Sequence, residues 1–288
     1  MPVTDPRVQQ ADRDAAADLA TLRETAREAG TLALDYLRRG DLERWEKTPG
    51  QPVSEADLAV NTLIARRLGA ARPDYGWLSE ETVDDLRNRT RPRIWLVDPI
   101  DGTRAFLRGD PNWCVGLAVV EDGKAIAGVV YAPALDLLFE ARTGQGAYCN
   151  GVPIEASAAG EVSGCRIIAS ESMLEHKGWP EPWPKMEIAR PKPNATLLRL
   201  ALVASGAWDA TVVMWRKSDW DIAAGALLVA EAGGCATTHL GETFVYNRTV
   251  PAQRSVIASG KAMHPLLLRR AGEIRLPDPN DGPACSAQ

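Results

Sequence analysis

Histidine is scarce in this chain of 288 residues, and the three present are His176, His239 and His264. A histidine-rich zinc site or a Ser-His-Asp triad is therefore poorly supported, although distant residues can converge in a fold. The five cysteines are odd in number and form no Cys-x-x-Cys pair. We therefore expect reduced thiols, mostly buried as small apolar side chains, in a cytoplasmic protein.

An excess of basic charge is also missing, since the net charge is −5. A surface of this charge has no general affinity for a phosphate backbone, so polymeric nucleic acid is not an expected partner. Residues 87–93 hold four arginines, which is typical of a solvated loop; attraction of an anionic substrate is the alternative. No apolar run approaches the length of a membrane span, and the first residues lack a signal-peptide pattern, so we expect no membrane contact.

The beginning of the chain has helical patterns. Apolar residues recur three and four positions apart from Leu19 to Leu37, and Gly40 fits the end of this helix. The stretch EKTPGQPVSEAD predicts a loop or a tight hairpin. Ser54 is then the predicted N-cap of a second helix, with Asp57 in its first turn.

Strand patterns follow between Tyr75 and Tyr148. Short apolar runs predict an antiparallel sheet, and Glu121-Asp122-Gly123 is typical of a hairpin turn. After Gly151 short strands alternate with helical stretches, as in α/β proteins. We predict three regions: an N-terminal α+β half, a C-terminal α/β half and a loose tail, comprising residues 1–155, 156–268 and 269–288.

The stretch Trp95–Phe106, WLVDPIDGTRAF, places two aspartates at the end of an apolar strand pattern. The Pro-Ile spacer between Asp98 and Asp101 stiffens the turn and keeps both carboxylates near one place. Gly102 lets the backbone approach a ligand, and Thr103 adds a hydroxyl. Crowded carboxylates repel each other unless a cation lies between them or one is protonated. Oxygen ligands favour Mg²⁺ over Zn²⁺, while an ordinary aspartate-glycine turn is the simpler alternative.

Two further acidic segments strengthen the metal hypothesis. Glu80 follows another apolar run, in SEE, where a polar end to a strand is the alternative interpretation. Asp221 lies in KSDWDIAAGALLVAEAGG, where Ser218 or Asp219 would cap a helix. Acids are favoured at helix N-termini by the macrodipole, which explains Asp221 without function. The functional interpretation is that this helix end binds phosphate while Asp221 holds a metal.

In this order, SEE, DPIDGTRAF and WDIAAGALLVAEAGG resemble the three signature segments of the inositol monophosphatase superfamily. The resemblance extends from about Leu19 to His264. It implies an α/β (α+β) fold, a layered αβαβα sandwich with the site between its halves. It also implies a Li⁺-sensitive phosphomonoesterase of small phosphorylated metabolites that uses two or three Mg²⁺ ions per site. Homodimers are common in the family, so a homodimer is possible here.

The resemblance implies a set of metal ligands. Glu80 matches a ligand glutamate, and Asp98 matches an aspartate that bridges two metals. Asp101 and Asp221 match ligands of the second metal. The carbonyl of Ile100 matches a backbone ligand of the first metal.

It also implies how water attacks the phosphate. A phosphate monoester dianion repels hydroxide, and two metals neutralise it, lower the pKa of a bound water and stabilise the leaving alkoxide. Thr103 and Glu80 match the pair that activates this water, and Asp57 matches an aspartate that supports the water and a third, weaker metal. Backbone N–H groups would bind the phosphate. The predicted substrate contacts are Gly102, Thr103, Asp221 and Lys217.

The substrate is predicted from smaller differences. Inositol monophosphatases resembling this chain usually carry a glutamate where Met214, or Val213 with a gap, stands here. Neither accepts a hydrogen bond from a sugar hydroxyl, and SDWDIAAG looks more like the bacterial 3'(2'),5'-bisphosphate nucleotidases. We therefore expect hydrolysis of 3'-phosphoadenosine 5'-phosphate to AMP, with Trp215 a candidate to stack on adenine. Candidate cations for the second phosphate are Arg190, Lys192, Arg199 and Lys217.

Three other functions are considered. The first is the same chemistry on an inositol, sugar or histidinol phosphate. The second is an aspartyl-phosphate phosphatase of the haloacid dehalogenase type, which needs Asp-x-Asp-x-Thr; here the aspartates are three positions apart. The third is an inactive homologue that binds only a metal or a partner, and the presence of every predicted ligand argues against it.

Overall fold

A computed structural model describes residues 6–276, with side chains from residue 14 onward. The first half of the chain is built around a seven-stranded sheet. Its helices and strands are α1 (Pro6–Arg39), β1 (Arg44–Thr48), β2 (Gln51–Ser54), α2 (Glu55–Ala71), β3 (Gly76–Ser79), β4 (Arg93–Asp101), α3 (Thr103–Phe106), β5 (Cys114–Glu121), β6 (Lys124–Ala132), β7 (Leu137–Arg142), β8 (Ala147–Cys149) and β9 (Val152–Ile154). Strands β3 to β9 lie side by side in chain order, and β1 pairs with β2 as a separate hairpin.

A mixed five-stranded sheet forms the centre of the second half. Its helices and strands are β10 (Arg166–Ile168), α4 (Glu171–Leu174), β11 (Glu187–Ile188), α5 (Thr196–Ala204), β12 (Ala210–Val213), β13 (Lys217–Ser218), α6 (Ala223–Glu231), β14 (Gly234–Thr237), β15 (Ala252–Gln253), β16 (Val256–Gly260) and α7 (His264–Ala271). The sheet order is β11-β10-β12-β16-β14, and β13 pairs with β15 separately. Within residues 6–276 no helix has the length and apolar character to cross a bilayer.

Helices and sheets alternate in five layers. Helices α1 and α2 pack on one face of the larger sheet, where Trp95 and Phe106 are buried. Helices α5 and α6 fill the space between the two sheets through an apolar cluster that includes Leu197 and Leu228. Helix α7 covers the far face of the smaller sheet with Leu267. The predicted αβαβα sandwich is therefore confirmed.

Several local predictions are confirmed. Helix α1 ends at Arg39, and Gly40 follows with a φ of +79°, a conformation that glycine adopts without strain. The stretch after it forms the β1–β2 hairpin, and Ser54 is the N-cap of α2. Asp122 and Gly123, with φ values of 48° and 75°, make the turn between β5 and β6, as a two-residue hairpin requires.

The sheet of the first half is not wholly antiparallel, which corrects our expectation. Strand β3 runs parallel to β4, with Ser79 opposite Val97. The segment between them crosses over, because parallel neighbours cannot be joined by a tight hairpin. As a result, β3 and β4 end at the same edge of the sheet.

Two predicted boundaries also change. A 3₁₀ turn, Asp219–Asp221, precedes α6, and α6 itself starts at Ala223 because Ile222 departs from helical geometry (φ −129°). Asp221 therefore lies in the turn before the α-helix. The predicted tail starts three residues too early, since α7 continues to Ala271, which is buried against the smaller sheet. Residues 277–288 of that tail lie outside the described residues, and the division at 155/156 stays a prediction.

Candidate active site

The two aspartates of the DPID segment lie where β4 stops pairing regularly with β5. Asp98 is opposite Gly116 and Asp101 is opposite Cys114, with an irregularity between them. The intervening proline has no N–H to donate, so the ladder is interrupted there. Asp98 is 1% exposed and Asp101 is 6% exposed, so both carboxylates are removed from water.

Three of the predicted ligands come together at this point. One carboxylate oxygen each from Glu80, Asp98 and Asp221 lies within 4.8 Å of the other two. Glu80 follows β3, and its N–H donates to the carbonyl of Val97 (3.1 Å), which places it beside the end of β4. Asp221 approaches from the 3₁₀ turn before α6. The carboxylate cluster Glu80, Asp98 and Asp221 thus joins both halves of the chain.

The carboxylate cluster has the electrostatics of a cation site. Both oxygens of Asp98 are buried without a hydrogen-bond partner among the described residues. Burial, and then repulsion from Glu80, raises the pKa of Asp98 well above its usual value. Burial, opposed by Lys47 and reinforced by Asp221, raises the pKa of Glu80 to about 7. Burying an unpaired carboxylate such as Asp98 is costly, and an oxygen-rich acidic site of this kind fits a hard divalent cation such as Mg²⁺.

Asp101 is held differently from the carboxylate cluster. Its Oδ2 accepts a hydrogen bond from the N–H of Leu197 (2.6 Å), in the first turn of α5. Burial and the charge of Asp221 raise the pKa of Asp101 to about 7, although Lys217 opposes the rise. Asp101 is thus under the influence of the charge of Asp221 but is not one of the three residues of the carboxylate cluster, and its role as a ligand stays a prediction.

Thr103 lies beside the predicted water-supporting aspartate. Its hydroxyl is 3.2 Å from Oδ1 of Asp57 and 3.1 Å from the carbonyl of Ile100, and it can donate its one proton to either. Oδ2 of Asp57 accepts from the N–H (2.8 Å) and the hydroxyl (2.6 Å) of Ser54. Burial raises the pKa of Asp57, while the bonds from Ser54 and Thr103 lower it. The N-cap of α2 thus fixes one oxygen and leaves the other facing Thr103.

Gly102 lets the chain turn sharply between Asp101 and Thr103. Its φ is +93°, and a Cβ atom there would lie 3.1 Å from Cβ of Ala195. Both the backbone angle and the close approach of α5 therefore require glycine. The role of Gly102 and Thr103 in donating N–H groups to phosphate stays a prediction.

Two lysines lie near the acidic groups. Nζ of Lys217 is 3.6 Å from Oδ2 of Asp221. Nζ of Lys47, from the β1–β2 hairpin, is 3.2 Å from Oε1 of Glu80 and also contacts Glu81. Burial alone would lower the pKa of Lys47, but Glu80 and Glu81 raise it overall. Sequence reasoning missed Lys47, because nothing local distinguishes this lysine from an ordinary hairpin residue.

Comparisons with known proteins agree with this geometry. The chain is 36% identical over 235 residues to a histidinol-phosphatase of Chlorobaculum parvum, covering 78% of this chain and 86% of the relative. It is 33% identical over 215 residues to an inositol-1-monophosphatase of Rhizobium meliloti, with 72% and 79% covered. The structure of a Thermotoga maritima IMPase superposes with a TM-score of 0.74 at 30% identity, covering 90% of this chain and 97% of that one.

None of these three relatives is named as a bisphosphate nucleotidase, so they do not support the prediction that this chain belongs to that branch. The sequence model of the inositol monophosphatase family matches residues 14–276, which include both halves and every predicted site residue. The chain belongs to the inositol monophosphatase family.

Proposed function

We propose that this protein is a Mg²⁺-dependent phosphomonoesterase that hydrolyses a small phosphorylated metabolite with an activated water. One observation carries the proposal: the carboxylates of Glu80 and Asp221, one from each half of the chain, converge on Asp98, which is buried and has no hydrogen-bond partner among the described residues. Such a cluster is unfavourable in the absence of a cation and well suited to hold one. Family membership supports phosphatase chemistry at this cluster.

The ligands in the proposal are Glu80, Asp98, Asp221, Asp101 and the carbonyl of Ile100. When bound, Mg²⁺ supplies charge neutralisation of the phosphate and a water of lowered pKa. Thr103 orients that water, because a hydroxyl that donates to Asp57 keeps its oxygen lone pairs free to accept a hydrogen bond from the water. The carboxylate of Glu80 accepts a proton from the water.

We propose histidinol phosphate as the first substrate to test. A relative that shares 36% of its residues with this chain is a histidinol-phosphatase. Inositol phosphate is second: a 33% identical relative acts on it by name, but Val213 is buried in β12 and Met214 packs against the apolar core of the second half. Neither residue offers an acceptor for a sugar hydroxyl.

Hydrolysis of 3'-phosphoadenosine 5'-phosphate has weaker support, because most of the cations predicted to bind its second phosphate already have partners in the protein. Arg190 donates to Glu171 (2.6 Å), and buried Arg199 donates to the carbonyls of Pro193 (2.6 Å) and Asn194 (3.4 Å). Lys217 lies beside Asp221. Among the described residues only Lys192, of the four predicted cations, has no such partner. Trp215 is 38% exposed, so stacking on a base is sterically open.

The test is phosphate release from histidinol phosphate, inositol 1-phosphate and 3'-phosphoadenosine 5'-phosphate, measured side by side with Mg²⁺, with chelator and with Li⁺. We expect Mg²⁺-dependent release that is fastest from histidinol phosphate. Faster release from the nucleotide would support the bisphosphate nucleotidase activity predicted from the sequence. Undiminished release with chelator would overturn the metal mechanism. Lithium sensitivity, a homodimer and a cytoplasmic location stay predictions.

A further inference from the structure

One arginine of the basic run at residues 87–93 is buried and bonds across to the second half of the chain. Arg89 is 5% exposed. Its Nη1 donates to Oδ1 of Asn247 (3.2 Å) and to the carbonyl of Arg248 (2.9 Å). Its Nη2 donates to Oδ2 of Asp84 (2.8 Å) and to the carbonyl of Thr249 (3.3 Å). Its guanidinium therefore holds the loop at residues 247–249 against its own loop.

Asn247 carries this connection further. Its Nδ2 donates back to the carbonyl of Arg89 (3.0 Å), so the two residues bind each other reciprocally. Its φ is +60°, a left-handed conformation that asparagine tolerates better than most residues. This conformation accompanies a bond from its backbone N–H to Oδ2 of Asp219 (2.8 Å).

Asp219 is the far end of the connection. It is fully buried, and its Oδ1 accepts from Nε2 of Gln253 (3.0 Å). Its N–H donates to the carbonyl of Pro251 (2.9 Å). Both carboxylate oxygens and the backbone N–H of Asp219 are thus bonded to residues 247–253, the segment whose first three residues Arg89 holds. We call Arg89, Asn247, Asp219 and Gln253 the Arg89 network.

The Arg89 network has one end near each ligand segment of the carboxylate cluster. Arg89 lies on the crossover loop that begins with Glu80, directly after β3. Asp219 begins the 3₁₀ turn that ends with Asp221. Strand β13, immediately before that turn, pairs with β15 of the same loop. The Arg89 network thus connects the loop that follows Glu80 with the turn that carries Asp221, through bonds that none of the predicted ligands makes.

We propose that the Arg89 network positions Asp221 relative to Glu80 and thereby sets the affinity of the carboxylate cluster for a divalent cation. This inference rests on the proposed function, since it concerns the same cluster. Partners that hold ligand groups from behind typically change metal affinity 10–100-fold when removed. The Arg89 network is such a support, made by side chains that do not touch the cation.

The experiment measures Mg²⁺ binding by calorimetry on the full chain, without substrate. The variants are Arg89→Met, which removes the fork of donors; Arg89→Lys, which keeps the charge without the fork; and Asn247→Gly, which keeps the positive φ and the bond to Asp219. The control is Arg87→Met, the same change in the same loop, at an exposed arginine whose hydrogen bonds are to Asp85.

We expect Kd for Mg²⁺ to rise about tenfold or more in Arg89→Met. Arg89→Lys should be weakened similarly, Asn247→Gly less, and Arg87→Met should match the wild type. A Kd unchanged in both Arg89→Met and Asn247→Gly would overturn the inference, even where melting temperatures fall, because a purely structural role lowers stability alone. Equal weakening in Arg87→Met would also overturn it, as a general effect of charge.

Asn247→Gly decides the matter if Arg89→Met does not fold, because it leaves the guanidinium and its carbonyl contacts in place. Wild-type protein that binds no Mg²⁺ would overturn the proposed function and this inference together. Wild-type binding with unaltered variants would overturn the inference alone. The two failures are therefore distinguishable.

Discussion

Two buried aspartates, Asp18 and Asp98, differ in what surrounds them. Asp18 is fully buried in α1, where Oδ1 accepts from Nε of Arg72 (2.9 Å) and Oδ2 from the hydroxyl of Tyr75 (2.7 Å). Nη1 of Arg93 is 3.4 Å from the same Oδ2. Asp98 is buried to the same degree and faces other carboxylates, with no hydrogen-bond partner among the described residues.

The pKa direction does not distinguish the two groups. Burial raises the pKa of Asp18 against the lowering effects of Tyr75 and Arg72, and burial raises that of Asp98 as well. What distinguishes them is hydrogen bonding. A buried carboxylate whose hydrogen bonds are satisfied is compatible with a stable fold, whereas one without partners lowers the free energy of unfolding. In this molecule we assign the satisfied aspartate to structure and the unsatisfied one to cation binding.

The largest expected effect is on catalysis, in Asp98→Asn. We expect kcat to fall by about a thousandfold, or about 4 kcal/mol of barrier, because the buried carboxylate at the centre of the proposed cation site is lost. The apo protein should be as stable as the wild type or more so, since one repelling charge is removed. Steady-state kinetics and thermal unfolding of the same preparation check both halves of this expectation. Undiminished turnover in Asp98→Asn would show that the carboxylate cluster is not the site.

The second effect is on stability, in Asp18→Asn. We expect a loss of about 3 kcal/mol in the free energy of unfolding, at the low end for a broken buried ion pair. The loss is limited because Arg72 is partly exposed and Arg93 keeps its bond to Glu121 (2.7 Å). Denaturant unfolding measures it, and kcat of the folded fraction at low temperature should be unchanged. A variant with wild-type stability and lost activity would reverse our assignment of the two aspartates.

Apolar periodicity predicts most of the helices and strands and their buried faces, whereas the order of the layers comes from the resemblance to the inositol monophosphatase superfamily. The same resemblance predicts that Glu80, Asp98 and Asp221 come together, since each lies in a signature segment and matches a metal ligand of the family. The parallel pairing of β3 with β4 was not predicted, because strand direction depends on the path of the crossover loop. The contact of Lys47 with Glu80 and the burial of Arg89 against Asn247 were not predicted either, because these partners are distant in sequence.

The smallest effect, counted for a single group, is on the pH dependence of stability. The pKa values of Glu80 and Asp101 are raised to about 7 in the folded apo protein, from usual values near 4. Between these values the folded state binds more protons than the unfolded state, so stability falls as pH rises through the window. From about pH 5.5 to about pH 8 we expect a loss of about 2 kcal/mol for each of these two groups, which corresponds to a few degrees in Tm per group.

Mg²⁺ should remove this dependence, because cation binding displaces the protons and stabilises the ionised carboxylates. The measurement is Tm against pH for apo and Mg²⁺-loaded wild type, with Asp18→Asn and Asp98→Asn beside them. Asp18→Asn should keep the contributions of Glu80 and Asp101 to the apo slope at a lower Tm, because its carboxylate is separate from the carboxylate cluster. Asp98→Asn should flatten the slope, because the pKa of Asp98 is itself raised well above its usual value and its titration is lost in the variant. Equal slopes in the two variants would mean that hydrogen bonding does not distinguish the two buried aspartates in solution.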